Sequence, residues 1–303
     1  MAEQKATETA EAVEIETHLV NEATVGDNLE GKKIAKDGRT VLSPQPSDDP
    51  EDPLNWSWAR KHRVLLALIL PSLLGDAGMA WGATLFEAQA ETWNISVSKA
   101  STSLNWGIFL QGPGGLLIVP LIQRYGRLPL EFWSQFLTSC ILIGAATSPT
   151  FVSFTALRSI QGILGVAPNV IGLSIIHDMF FFHERARKIN IWTLCLATGP
   201  CLGSFISGLL IEIISWRACF GVLAGIYGLS ALLVVFLGDE TLYDRGESDP
   251  QPSGKGFVNK FLLLTGIAGA RATGRPGTWT VIKDLSSLFI LPQLLVPGRF
   301  RLL

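Results

Sequence analysis

The sequence predicts an all-α membrane protein with six transmembrane helices. Three observations predict it: a low content of charge, a series of long apolar stretches, and a one-sided placement of basic residues. The chain has 303 residues, of which 48% are hydrophobic and 17% charged, and its mean hydropathy is +0.34. Soluble domains carry more charge than this. Six apolar stretches fall at approximately 64–86, 103–122, 130–148, 153–176, 190–212 and 218–238. A spanning helix needs about 20 such residues. Arg60, Lys61 and Arg63 precede the first stretch, Arg124 and Arg127 separate the second from the third, Arg185, Arg187 and Lys188 separate the fourth from the fifth, and Arg245 follows the sixth. The opposite side has only Lys99 and Arg217. By the positive-inside rule, the N-terminus lies in the cytoplasm.

The remaining segments divide by composition. Residues 1–53 are acidic and lack apolar periodicity, which reads as a disordered cytoplasmic tail. No apolar run of the secretory type opens the chain, so the first helix is expected to act as the targeting signal. Residues 54–238 hold the six-helix bundle, and 239–284 form a polar, Gly-rich cytoplasmic loop. Residues 285–303 begin apolar and are broken by Arg299 and Arg301, as in a truncated start of a seventh helix. The formal charge of −2, with no concentrated basic face, argues against nucleic-acid binding. Cys140, Cys195, Cys201 and Cys219 all fall in apolar stretches and read as inert core thiols without metal-ligand spacing. Trp56, Trp58, Trp133 and Trp192 fall near the inner interface, and Trp93 and Trp216 near the outer one.

No hydrolase, zinc-protease or nucleotide-loop motif occurs, and neither a cofactor nor a metal is expected. Chemistry must come from polar groups inside the apolar stretches. Asp76 lies mid-way along the first helix and Arg158 in the fourth, and helical rise places both in the outer half of the bilayer. They read as an ion pair or as two walls of one polar cavity. Gln161 shares a face with Arg158. Asn105, Gln111 and Asn169 are further polar groups, which line a substrate cavity or bond helix to helix. Gly199 and Gly203 have the spacing that brings two helices close, Pro200 between them is expected to kink its helix, and Gly221 and Gly225 repeat the spacing in the sixth.

In order, these pieces resemble the N-terminal half of a major facilitator superfamily transporter, of the fungal drug:proton antiporter type. Asp52-Pro53-Leu54-Asn55-Trp56 resembles that group's motif before the first helix. Pro120-Leu121-Ile122-Gln123-Arg124-Tyr125-Gly126-Arg127 resembles the loop motif between the second and third helices. Arg158-Ser159-Ile160-Gln161-Gly162 resembles the fourth-helix motif, Gly199-Pro200-Cys201-Leu202-Gly203 the fifth-helix antiporter motif, and Glu240-Thr241 the end of the sixth helix.

The resemblance implies transport of a small organic solute or drug, coupled to protons, by alternating access of two six-helix halves in the plasma membrane. Arg158 would then contribute to proton coupling, Gly199, Pro200 and Gly203 would shape the fifth-helix interface, and Gly126 and Arg127 would set the loop between the second and third helices. Two departures stand out. Gln123 replaces an acidic residue and Leu128 a basic one, which predicts a weakened charge network at that loop. The chain also stops as a seventh helix begins. The expected partners are therefore membrane lipid, the small-molecule substrate, the proton, and either a second copy or a missing C-terminal half. The alternative is a truncated, non-transporting half that serves as an interaction partner or has no function.

Overall fold

Helix boundaries follow from side-chain caps at the ends of the apolar runs. Ser57, Ser96, Thr150 and Ser215 each accept a hydrogen bond from the backbone N–H three residues on. Each bond satisfies a donor that the helix start would otherwise orphan. The computed structural model describes residues 33, 42–243, 257–267 and 280–283. Six stretches in it are long and apolar enough to cross a membrane: span 1 (Trp58–Trp93), span 2 (Val97–Tyr125), span 3 (Arg127–Thr147), span 4 (Phe151–Met179), span 5 (Phe182–Ile211) and span 6 (Trp216–Leu237). A short helix, Phe257–Leu264, follows. The expected seventh-helix start lies outside the described residues, as does most of the loop before it.

The expected stretches match these spans, but the helices run past the apolar cores. The largest difference is at the start of span 5, where His183 to Lys188, read as a loop, is helical. Arg185 holds this turn against the end of span 4, donating to the carbonyls of Phe180 at 2.9 Å and His177 at 2.8 Å. Two spans are interrupted. Span 1 is helical to Ala80, passes through a 3-10 turn at Ala83–Leu85 and resumes at Phe86. Span 4 divides at Val166, and Pro168 sits in the first turn of its second piece, where a missing N–H is tolerated.

Span 3 packs along span 6, span 2 along span 4, and span 1 along span 5. One apolar cluster gathers Trp56, Val64, Leu68, Ile171, Met179 and Trp192 near the start of span 1, called the near end below. Another gathers Leu85, Phe154, Trp216, Phe220 and Leu223 at the far end. There Trp93, Phe154 and Trp216 stack edge to face or tilted, with ring centroids 5.0–5.7 Å apart. Trp192 and Trp216, read as interfacial anchors, are therefore core residues. Of the four cysteines Cys219 is buried, whereas Cys140 and Cys201 face outward. Spans 2 and 5 bury the least. They present Trp106, Phe109, Leu117, Leu194, Phe205 and Leu209 on the surface.

Residues 42–53, assigned from sequence to a disordered tail, fold onto the near end. Asp52 organises them. Its carboxylate accepts from the Ser47 N–H at 3.0 Å, the Ser47 hydroxyl at 2.9 Å and the Leu54 N–H at 3.0 Å, and it is fully buried. Asn55 donates to the carbonyls of Ser47 and Asp49, the Trp56 indole to that of Glu51, and Lys61 to that of Leu54. The acidic composition that suggested disorder is here consumed by local caps and turns.

Candidate functional site

The polar groups inside the bundle are placed by two close helix crossings. At the first, Gly75 of span 1 meets span 4 where that span is interrupted: a Cβ on Gly75 would lie 2.6 Å from the Gly165 carbonyl oxygen. At the second, Gly162 of span 4 lies on Gly107 of span 2, so closely that a Cβ on Gly162 would overlap the Gly107 carbonyl. With spans 1, 2 and 4 drawn together, Asp76 receives one amide from each neighbour. Gln111 Nε2 donates to Asp76 Oδ1 and Asn169 Nδ2 to Asp76 Oδ2, both at 3.4 Å. Asp76 is half-buried, and both contacts are long for hydrogen bonds. Three residues that the sequence offered separately thus form one cluster. Asn105 does not join it. Its side chain is exposed, about 9 Å along span 2 from Gln111 by helical rise.

Arg158 does not pair with Asp76. Its guanidinium, 1% exposed, donates to the carbonyls of Gly78 at 2.9 Å and Met79 at 2.7 Å and to the side-chain oxygen of Gln161. It also lies over the Phe220 ring, 5.3 Å from its centroid. The helix of span 1 ends at Ala80, so Gly78 and Met79 are last-turn carbonyls with no helical N–H partner. The partial negative charge of a helix C-terminus favours a cation there, and the forked guanidinium meets two oxygens at once. Arg158 reaches span 1 just beyond Asp76. The partner was missed because the break in span 1 has no single sequence marker. Tyr227 of span 6 closes the same region, donating to the Leu74 carbonyl at 2.6 Å.

The fifth-helix motif packs on span 1. A Cβ on Gly199 would lie 2.7 Å from the Leu73 carbonyl oxygen, and one on Gly203 would strike the backbone of Ala77. Polar ties continue the contact: Trp192 Nε1 to Ser72 Oγ at 2.9 Å, Ser204 Oγ to the Ala80 carbonyl at 3.3 Å, and Thr84 Oγ1 with Ser207 Oγ at 2.8 Å. Pro200 is exposed, on a side turned away from span 1, and the helix runs unbroken through it from Phe182 to Ile211. Gly221 and Gly225 share the spacing but not the role, for among the described residues nothing lies within 4 Å of a Cβ built at either.

The turn between spans 2 and 3 is latched, contrary to the weakened network expected from Gln123 and Leu128. Gln123 is exposed and Tyr125 borders the outer surface. Gly126 has φ +103°, which favours glycine, and a Cβ there would meet the Glu240 carboxylate. That carboxylate accepts from the backbone N–H groups of Arg127 and Leu128, both at 3.1 Å, and so caps the start of span 3. Arg127 forms an ion pair with Asp178 and donates to the Ser174 carbonyl at 2.9 Å. The latch therefore runs from span 3 to the end of span 4 and the segment after span 6, using acids outside the loop motif. Asp239 adds a second tie, holding Arg60 at 3.0 Å and Arg63 at 2.7 Å. Sequence reasoning did not single out Asp178 or Asp239, and it quoted Glu240 only for its likeness to the end of the sixth helix. It also missed Glu131, a carboxyl inside span 3.

A sequence profile of the Major Facilitator Superfamily matches residues 63–298. The chain is 28% identical over 234 residues to the trichosetin biosynthesis cluster MFS transporter of Gibberella fujikuroi, covering 72% of this chain and 48% of that protein. It is 32% identical over 225 residues to an uncharacterized MFS-type transporter of Schizosaccharomyces pombe, covering 70% of this chain and 36% of that one. It is 27% identical over 226 residues to the efflux pump radE of Floropilus chiversii, covering 71% and 41%. The chain thus spans less than half the length of these relatives. With six membrane spans in the arrangement described and a family profile covering most of its length, the chain is an integral membrane protein that belongs to the Major Facilitator Superfamily.

Proposed function

We propose that this chain supplies a six-helix half of a secondary active transporter, paired with a second copy of itself, that exchanges a small organic solute for protons by alternating access, as in drug:proton antiporters. The observation that carries the reading is Asp76: an acid mid-way through the bundle, half-buried, with two long amide contacts among the described residues. A structural carboxylate would be saturated with donors. One left this loosely held can change partners, taking a proton in one state and facing solute in another. Gln111 and Asn169 supply neutral hydrogen-bonding groups beside it. Arg158, locked to span 1 carbonyls, keeps the wall rigid, and the latch around Arg127, Asp178 and Glu240 ties its moving end. The similarity to the efflux pump radE of Floropilus chiversii is in keeping with this reading. The near end, with Arg60, Lys61, Arg124, Arg127, Arg185 and Lys188, is proposed to face the cytoplasm, in the plasma membrane.

The test is gradient-driven flux. Proteoliposomes containing the full chain are given an imposed pH gradient and a panel of fluorescent organic cations and weak acids. The expected result is gradient-dependent movement of at least one solute, lost in Asp76→Asn and kept in Asn105→Ala. Movement that survives Asp76→Asn unchanged would remove Asp76 from the mechanism. A monodisperse, folded chain that moves nothing in response to the gradient would overturn the reading.

A further inference from the structure

Span 3 carries a second polar column, separate from the Asp76 cluster. Glu131, Gln135 and Thr138 recur at helical spacing on its buried side, and Ser230 of span 6 belongs to the same helix pair. Their exposures are 4%, 0%, 0% and 0%. Among the described residues, neither carboxyl oxygen of Glu131 has a hydrogen-bond partner, and the same holds for both amide atoms of Gln135, the Thr138 hydroxyl and the Ser230 hydroxyl. Native interiors seldom tolerate one such group, and here several stand together along about 10 Å of helix. Glu131 also lines a hollow of about 20 Å³, bounded by Leu68, Leu128, Ile175, Val234 and Asp239. That is room for about one water molecule, with carboxyl groups within the lining to hold it.

The chemistry of the lining decides the ligand. An ionised carboxylate with no cation and no donor is among the least tolerable groups in an apolar interior. The charged and titratable groups on neighbouring elements are committed elsewhere. Arg60 and Arg63 hold Asp239, and Lys61 donates to the Leu54 carbonyl. Arg127, one turn before Glu131, turns to Asp178 and Ser174, and Glu240 caps span 3. Lys260 donates to the Phe236 carbonyl, and His177 is exposed. Asp239 alone among these lines the hollow. A carboxylic acid, by contrast, has both a donor and an acceptor and can share them with a water or with the Gln135 amide one turn on.

We propose that Glu131 is a proton-binding site: a carboxyl held as the neutral acid at neutral pH, which exchanges its proton with the aqueous phase at the near end through the hollow beside Asp239. The proposal does not depend on coupling at Asp76 or on transport, because it concerns one carboxyl and its access to water.

The experiment is infrared spectroscopy of the full chain in lipid nanodiscs. At neutral pH the spectrum is expected to contain a carboxylic-acid C=O band that is lost in Glu131→Gln and kept in Asp76→Asn. On transfer to D2O that band is expected to shift within seconds, reporting exchange through the hollow. Because Glu131→Gln removes an acid from a packed site, Glu131→Asp serves as a second variant, expected to keep a shifted acid band. Absence of any acid band in the parent chain at neutral pH would overturn the proposal. So would a band that Glu131→Gln leaves intact, or one unmoved by hours in D2O.

Discussion

A double-mutant cycle on Asp76 and Arg158 separates two accounts of the bundle interior. The sequence, with opposite charges at one depth, argues for an ion pair. The structure gives the two residues different partners: Asp76 has Gln111 and Asn169, Arg158 has Gly78, Met79 and Gln161. Arg158→Leu leaves two backbone carbonyls and one amide oxygen without donors, each worth about 1–3 kcal/mol. Relief of the buried guanidinium's desolvation offsets part of that, so a net loss of about 3–5 kcal/mol is expected. Asp76→Asn keeps the shape of the side chain and touches only two bonds at 3.4 Å, so it should cost under about 1 kcal/mol. With no shared partner, the double variant should equal the sum of the singles within about 0.5 kcal/mol. The assay is denaturant unfolding of the detergent-solubilised chain, followed by tryptophan fluorescence. If the double variant were more stable than Arg158→Leu alone, Asp76 would be the charge that Arg158 compensates, and the assignment of Arg158 to the carbonyls of span 1 would be refuted.

Two further outcomes follow from packing and capping. Gly162→Val and Gly203→Val should abolish stable folding, since their Cβ atoms would strike the backbones of Gly107 and Ala77, whereas Gly221→Ala and Gly225→Ala should be neutral or slightly stabilising; thermal stability in detergent checks both pairs. Glu240→Ala should cost about 1–2 kcal/mol by uncapping span 3 at Arg127 and Leu128, while Gln123→Ala should change stability by less than about 0.5 kcal/mol, which denaturant unfolding of the two variants compares.

What could be read from the sequence was what depends on composition and period. Six spans follow from apolar runs, and the tight contact at Gly199 and Gly203 follows from small-residue spacing. Two identical spacings, however, gave opposite outcomes: Gly199 and Gly203 meet span 1, while Gly221 and Gly225 meet none of the described residues. Spacing states which residues share a helix face, and not which helix that face will meet. Partners of charged groups were harder still. Asp178 and Glu240 lie 51 and 113 residues beyond Arg127 in the numbering, and only the packed bundle brings them to it. The tail residues 42–53 were misread for a related reason. Composition measures the capacity to bury apolar surface, and this segment is held instead by the hydrogen bonds that Asp52 and Asn55 make.

The helix interruptions explain why charge is tolerated where the sequence makes it look most costly. An unbroken span 1 would have used its own N–H groups on the carbonyls of Gly78 and Met79, and Arg158 would have needed an acid. Because that helix stops at Ala80, its last turn offers the oxygens itself, and Asp76 is released from serving as counter-ion. Span 4 contributes the reciprocal feature. Its interruption at Val166 lets Gly165 sit against Gly75 and sets Asn169 beside Asp76. Two breaks in neighbouring helices thus give the two apparent ion-pair members separate sets of partners. Arg158 is fixed through backbone, and Asp76 is left with two long amide contacts. Closing the break in span 1 would remove the carbonyls on which Arg158 depends, so the division of labour between the two charges rests on backbone geometry before it rests on side chains.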